Sequence, residues 1–175
     1  VLFIQEGPGI RKYEYEEDGY PMINVRCVQD GYIDMSKSKS ANYELATNKW
    51  KHFQIDEGDI LYTISGTIGR SAIVKDSDLP LLMNTSVVRF KSLTEGLNHK
   101  FVYYYFKTQN FINELLSHST GTAIQNVGPS HLAKMSISFP PIPEQQRIVA
   151  ILDQAFADIE KARANAEQNL KNARE

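Results

Sequence analysis

Near its C-terminal end the chain carries "FPPIPEQQRIVAIL", residues 139–152. Pro140, Pro141 and Pro143 lock the backbone and remove three N–H donors within four residues. Pro143 suits the first turn of a helix, where its missing N–H has no partner to lose. Glu144 then favours the positive end of the helix dipole. Beyond this joint, Ile148, Leu152, Ala155, Ile159, Ala162 and Ala166 follow at steps of four, three, four, three and four. Ala173 resumes the series after a gap at Asn169, and Ile151 and Phe156 widen the stripe near the joint. This is a heptad seam. It predicts, within 143–175, a helix of about 31 residues that spans roughly 46 Å, longer than a small domain is wide. We read Ile148, Leu152, Ala155, Ile159, Ala162 and Ala166 as helix-pairing residues, for which residues 1–142 offer no evident partner. The alternative is a C-terminal helix that folds back on its own domain.

Residues 1–142 read as one α+β domain with a small mixed sheet. Runs 21–28, 58–64, 71–75 and 86–91 are rich in Val, Ile, Tyr and Thr between Gly and Asp turns, which is the vocabulary of strands. "SGTIGR" (65–70) reads as a hairpin loop. Over 99–117 the apolar residues change to three- and four-residue steps, predicting one amphipathic helix with an aromatic face turned to the core. "HSTGTAIQNVGPS" (118–130) reads as a loop, and 132–139 alternates as a further strand. The composition, 42% hydrophobic and 23% charged, is that of a globular domain. No run approaches the roughly 18 apolar residues of a membrane span. The chain opens on Val1, so we expect a missing or processed start, and no leader pattern stands there.

Catalytic signatures are lacking. His52, His99, His118 and His131 have no Cys, His, Asp or Glu at metal-ligand spacing, so we expect no bound metal. "SGTIGRS" has two residues between its glycines where a phosphate loop has four, and Arg70 where that loop has Lys. "EGPG" at 6–9 lacks the third glycine of a dinucleotide fingerprint, and no G-x-S-x-G elbow occurs. "FPPI" has neither the polar acceptor nor the following aromatic ring of the Pro-Pro loop that adenine methyltransferases close over a flipped base. The single cysteine, Cys27, reads as a buried small hydrophobe in a reducing compartment. A formal charge of −2 neither favours nor excludes nucleic acid, because binding needs a segregated basic face. One such segment exists. Residues 37–52 carry Lys37, Lys39, Lys49 and Lys51 against Glu44 alone.

Four stretches together point to a family. They are "GYPMINVRCVQDGYID" (19–34), "EGDILYTISGTIGRSAIV" (57–74), "LLMNTSVVRF" (81–90) and "STGTAIQNVGPSHLAKMSISFPPIPEQQRIVAILD" (119–153). In order and spacing the chain resembles the specificity (S) subunit of type I restriction-modification enzymes, namely one target-recognition domain (1–142) with its conserved spacer helix (143–175). The resemblance implies a non-catalytic, prokaryotic, cytoplasmic protein. A full S subunit holds two such domains, each reading one half of a split DNA target, joined by two antiparallel helices. It binds double-stranded DNA and docks methyltransferase (M) subunits that use S-adenosylmethionine, and restriction (R) subunits join that core. No cofactor is expected on this chain. Its length is about half that of a full subunit, so a partner helix is implied, from a second S half or a homodimer. Two identical halves would then read a palindrome.

Within that resemblance, polar residues on loops are the candidates for DNA contact. They are Lys37, Lys39, Ser65, Thr67, Arg70, Asn84, Thr122, Gln125 and Asn126. Arg70 suits guanine or phosphate, and Gln125 or Asn126 suits adenine. Loops like "SGTIGR" and "TGTAIQN" recur across family members with different targets, which implies a positioning role and moves base reading towards residues 35–51. Three other readings stay open here: the recognition domain of a single-chain type II restriction-methylation enzyme, a coiled-coil scaffold with no DNA function, and a cryptic methyltransferase, which would have to bind S-adenosylmethionine.

Overall fold

The computed structural model describes residues 2–117, 128–135 and 137–174. Its strands, in chain order, are β1 (Leu2–Glu6), β2 (Tyr15–Ile23), β3 (Lys39–Ala41), β4 (Ile60–Thr63), β5 (Ser71–Ile73), β6 (Leu82–Met83) and β7 (Val87–Ser92). The helices are α1 (Tyr43–Thr47), α2 (His99–Tyr105), α3 (Gln109–Ser117), α4 (Pro129–Leu132) and α5 (Ile142–Asn172). One sheet is antiparallel in the order β1-β7-β4-β5; the other is mixed, in the order β3-β2-β6, with β2 and β6 parallel. The α+β expectation, mixed sheet and long terminal helix included, holds.

β4 explains why the sheets stack. Its side chains alternate with period two, and both faces are apolar. Ile60, Tyr62 and Ile64 face Val88, Phe90, Phe106, Phe111 and Leu115, while Leu61 joins Ile23, Cys27, Val74 and Val87. The fully buried Tyr62 ring meets Phe106 at 5.8 Å and Phe111 at 5.7 Å, both edge-on, the geometry aromatic quadrupoles favour. A third cluster, Tyr20, Met22, Ala46, Trp50 and Leu82, lies between the small sheet and α1. Arg89 crosses between the sheet and the preceding segment. Its guanidinium meets Asp59 at 3.2 Å and donates to the carbonyls of Gln54 and His52. Burial pushes the Asp59 carboxyl above its ordinary range, against the pull of Arg89.

Four expected boundaries move, each for a local reason. The strand expected over 21–28 ends at Ile23, because the Asn24 side chain accepts from the Arg26 N–H at 2.9 Å and turns the chain. β2 instead begins earlier, at Tyr15, and bulges. Tyr15 and Tyr20 both face Ala41, and Gly19 fills the tight point, where a β-carbon would sit 2.1 Å from the Ala41 carbonyl oxygen. The single helix expected over 99–117 is two. Thr108 Oγ1 donates to Tyr105 O at 2.7 Å and accepts from Phe111 N–H at 3.3 Å, ending one helix and capping the next. Among the described residues of 132–139 no strand forms. Leu132 closes α4, and Met135, Ile137 and Phe139 pack on the aromatic core without a ladder partner. Their alternation records burial alone.

The proline joint opens α5 as expected, with Pro141 at the N-cap. Gln145, fully buried, fastens it to the head. Its Oε1 accepts from Asn98 N–H at 2.9 Å, and its Nε2 donates to Gly96 O at 3.1 Å and Pro140 O at 2.8 Å. One and two turns on, Val149 is buried and Asp153 is gripped by Lys100 Nζ (2.7 Å) and Tyr104 Oη (2.5 Å). Phe156 stacks on Tyr104 at 5.6 Å. The first turns of α5 therefore have a partner within the chain, contrary to the expectation of none. Beyond Phe156 every described residue of the helix is exposed.

Candidate nucleic-acid interface

The strand ends of the small sheet build the candidate site. β2 and β6 run parallel, with Ile23 opposite Met83, so both chains leave the sheet side by side. Each then meets an asparagine. "MIN" (22–24) and "LMN" (82–84) are short echoes of each other. Asn24 Oδ1 accepts from Arg26 N–H at 2.9 Å, and Asn84 Oδ1 accepts from Ser86 N–H at 3.0 Å and Ser86 Oγ at 2.5 Å. Both are Asx turns, the local bonding that makes asparagine a strand terminator. The turns are tied together: Asn84 N–H donates to Ile23 O at 3.0 Å, and Val25 N–H to Ser86 Oγ at 2.9 Å.

The β4–β5 loop joins the same end. Ile64 N–H donates to Ser86 O at 3.2 Å, and a β-carbon on Gly66 would lie 3.7 Å from Val25. Inside the loop, Thr63 Oγ1 donates to Thr67 O at 2.5 Å and accepts from Arg70 N–H at 3.0 Å. Gly66 (φ 71) and Gly69 (φ 100) occupy the left-handed region, where other residues are strained. A buried threonine and two glycines thus set the loop's shape, in keeping with a positioning role for Ser65, Thr67 and Arg70.

Lys37 and Lys39 complete the cluster. Asn24 Nδ2 donates to Lys37 O at 3.1 Å, holding the segment before β3 against the turns. The Lys37 ammonium pairs with Asp34 at 2.9 Å. Hydrogen bonds from Ser36, and then Lys37 itself, hold that carboxyl below its ordinary value. Lys39 lies over the Tyr15 ring at 4.9 Å. Between these elements opens a cleft of about 180 Å³, lined by Tyr15, Met22, Asn24, Arg26, Lys39 and Asn84. Beneath it Cys27 is fully buried and receives the Asn24 N–H on its sulfur at 3.5 Å. Burial raises the thiol's pKa, so it stays neutral and packs.

Of the nine candidates, the structure gathers Lys37, Lys39, Asn84 and the loop bearing Ser65, Thr67 and Arg70 at one end of the head. Thr122, Gln125 and Asn126 lie outside the described residues. Asn24 and Arg26 went unnoticed in the sequence, although the repeated Ile-Asn and Met-Asn strand exits mark them. On the rod, Ala155, Ile159, Ala162 and Ala166 are exposed as a pairing seam requires, whereas Ile148 and Leu152 are half-buried within the chain. By the 3.6-residue turn, the seam lies about 80° round the helix from the face of Gln145, Val149 and Phe156 that meets the head. Among the described residues no cluster of His, Cys, Asp or Glu could hold a metal, and no helix is long and apolar enough to cross a membrane.

The described residues thus form a head with a mixed sheet and clustered strand-exit loops, mounted on a projecting helix. The chain belongs to the family of the type I restriction modification DNA specificity domain, whose model matches residues 1–168. It is 27% identical over 159 residues to the type I restriction enzyme EcoBI specificity subunit of Escherichia coli, covering 89% of this chain and 33% of that one. It is also 27% identical over 173 residues to the MjaVIII specificity subunit of Methanocaldococcus jannaschii, covering 96% and 40%. A solved chain from a type I R-M system superposes with a TM-score of 0.70 at 22% identity, over 98% of this chain and 41% of that one, and shares the fold. The chain thus spans a third to two fifths of the length of these relatives.

Proposed function

We propose that this chain is a sequence-specific DNA-recognition unit of a type I restriction-modification system, reading one half of a bipartite target. The head contacts double-stranded DNA through the strand-exit cluster. The rod pairs with a second long helix, from another S half or a second copy, and sets the distance between half-targets. Methyltransferase (M) subunits dock on the assembly and bring S-adenosylmethionine, and restriction (R) subunits join it in the prokaryotic cytoplasm. The chain itself performs no chemistry and holds no cofactor.

The observation that carries this reading is the division of labour in α5. Its first turns are bonded to the head, and its remaining turns expose Ile159, 58% accessible, on a heptad seam that nothing among the described residues covers. A large apolar side chain kept in water at a fixed distance from a polar loop cluster supports a paired spacer. The test is co-expression with the methyltransferase subunit of the same system, followed by mapping of methylated adenines. A methylated two-part motif is expected, palindromic if two copies pair. Methylation without a motif would overturn the proposal.

A further inference from the structure

The cleft between the two asparagine turns offers hydrogen-bond donors and few open acceptors. Asn84 Oδ1 already receives two bonds from Ser86, which uses both of its lone pairs. Asn24 spends its oxygen on Arg26 N–H and its amide on Lys37 O. What remains in the lining is the Asn84 amide, the exposed Arg26 guanidinium, the Lys39 ammonium over the Tyr15 ring, and the Tyr15 hydroxyl, which can give or take a bond. Among the described residues, neither Arg26 nor Lys39 has a carboxylate within ion-pair distance, and the Asn84 amide has no acceptor, whereas Lys37, Lys91, Lys100 and Lys107 are all paired. The floor is Met22, fully buried and rigid between β3 and β6. The ends of two parallel strands, cross-linked by Ser86, hold the walls in place.

This polarity selects among bases. In the major groove guanine presents two acceptors, N7 and O6, side by side. Adenine pairs an acceptor with a donor, cytosine presents a donor, and thymine combines one acceptor with a methyl group. A donor-lined cleft leaves the donors of adenine and cytosine without partners and satisfies guanine fully. We propose that this cleft reads a guanine of the target, with Arg26 supplying the two-pronged contact and the Asn84 amide and Lys39 flanking it. Asn24 and Ser86 are positioning residues that hold the two readers. The proposal rests on the DNA-recognition reading above and adds the base and the residues that read it.

The test uses the chain assembled with its methyltransferase subunits. The complex methylates a pool of duplexes with randomised sequence, and the modified molecules are sequenced. If the wild-type complex shows no sequence preference, the DNA-recognition reading falls, and this proposal with it. Given a wild-type motif, Arg26→Ala is expected to relax one G·C position by about tenfold in discrimination, leaving the other positions intact. Arg26→Gln, which presents a donor beside an acceptor, should shift that position towards adenine. Asn84→Asp keeps the oxygen that Ser86 needs but replaces the donor with an acceptor, so preference for guanine should fall at the same position. Arg26 is exposed, and equal melting temperatures would confirm that its variants fold. A uniform loss of activity with an unchanged motif would assign Arg26 to phosphate and overturn the proposal, as would an unchanged motif at unchanged rate.

Discussion

Tyr62 and Ile159 are both large side chains on regular elements, yet Tyr62 is fully buried and Ile159 is 58% exposed. The difference separates two kinds of apolar surface. In β4 each face finds its complement within the same chain, so the pattern is one of folding. In the distal half of α5 the pattern is equally regular and no described residue covers it, which is what supports the proposed helix pairing. The proximal turns of α5 belong to the first kind, through Gln145, Val149 and Phe156. A single helix changes role along its length, about four turns in.

That contrast can be broken experimentally. Phe106 is fully buried, stacked at 4.6 Å on Phe111 and at 4.5 Å from Phe90. Phe106→Ala should cost the head about 3–5 kcal/mol in denaturant unfolding, well above any effect of a rod substitution. Gln145→Ala leaves one part-buried N–H and two part-buried carbonyls of the joint without their side-chain partner and should cost about 1 kcal/mol or more. Small-angle scattering should also show a wider range of head-to-rod angles. Ile159→Asp with Ala166→Asp should change head stability by less than about 0.5 kcal/mol, since both sites are exposed. The same pair should abolish association in light scattering, and a dimer that persists would show that the seam lies elsewhere.

The smallest effect concerns pH. Burial and the Asp153 carboxylate push the Tyr104 phenol up to about 12, while Lys100 and Tyr104 lower the Asp153 pKa. A raised phenol stabilises the folded joint at pH below 10 and loses that contribution as pH climbs towards 12. A depressed carboxylate stabilises it above its unfolded value near 3.8 and loses the contribution as pH falls through the folded value. The Tyr104–Asp153 contact should therefore be strongest between these limits. In an ultraviolet titration, Asp153→Asn should bring Tyr104 back towards 10.

The sequence was most legible where one period ruled. β4, β5, β7 and α5 follow from alternation or heptad steps because burial on a defined face imposes that spacing. It was least legible where a single side chain overrides a pattern. Asn24 ends a run of strand formers with one hydrogen bond, and Thr108 divides an aromatic helix with two. Met135, Ile137 and Phe139 alternate without belonging to a sheet, since burial alone can impose a period of two. The candidate site shows the same limit. Lysines in a basic run and an asparagine on a loop were visible. Arg26 was not, because its place beside Asn84 depends on the pairing of strands nearly sixty residues apart.

The joint has a consequence for how such a protein can diversify. All three bonds of Gln145 go to main-chain atoms, at Gly96, Asn98 and Pro140. Main-chain atoms survive any substitution that leaves the backbone path intact. The cleft and its loops can therefore be rewritten by mutation or exchanged wholesale by recombination, while the rod keeps its attitude to the head. Vocabulary and grammar are inherited separately: new words can be tried without disturbing the spacing of the sentence.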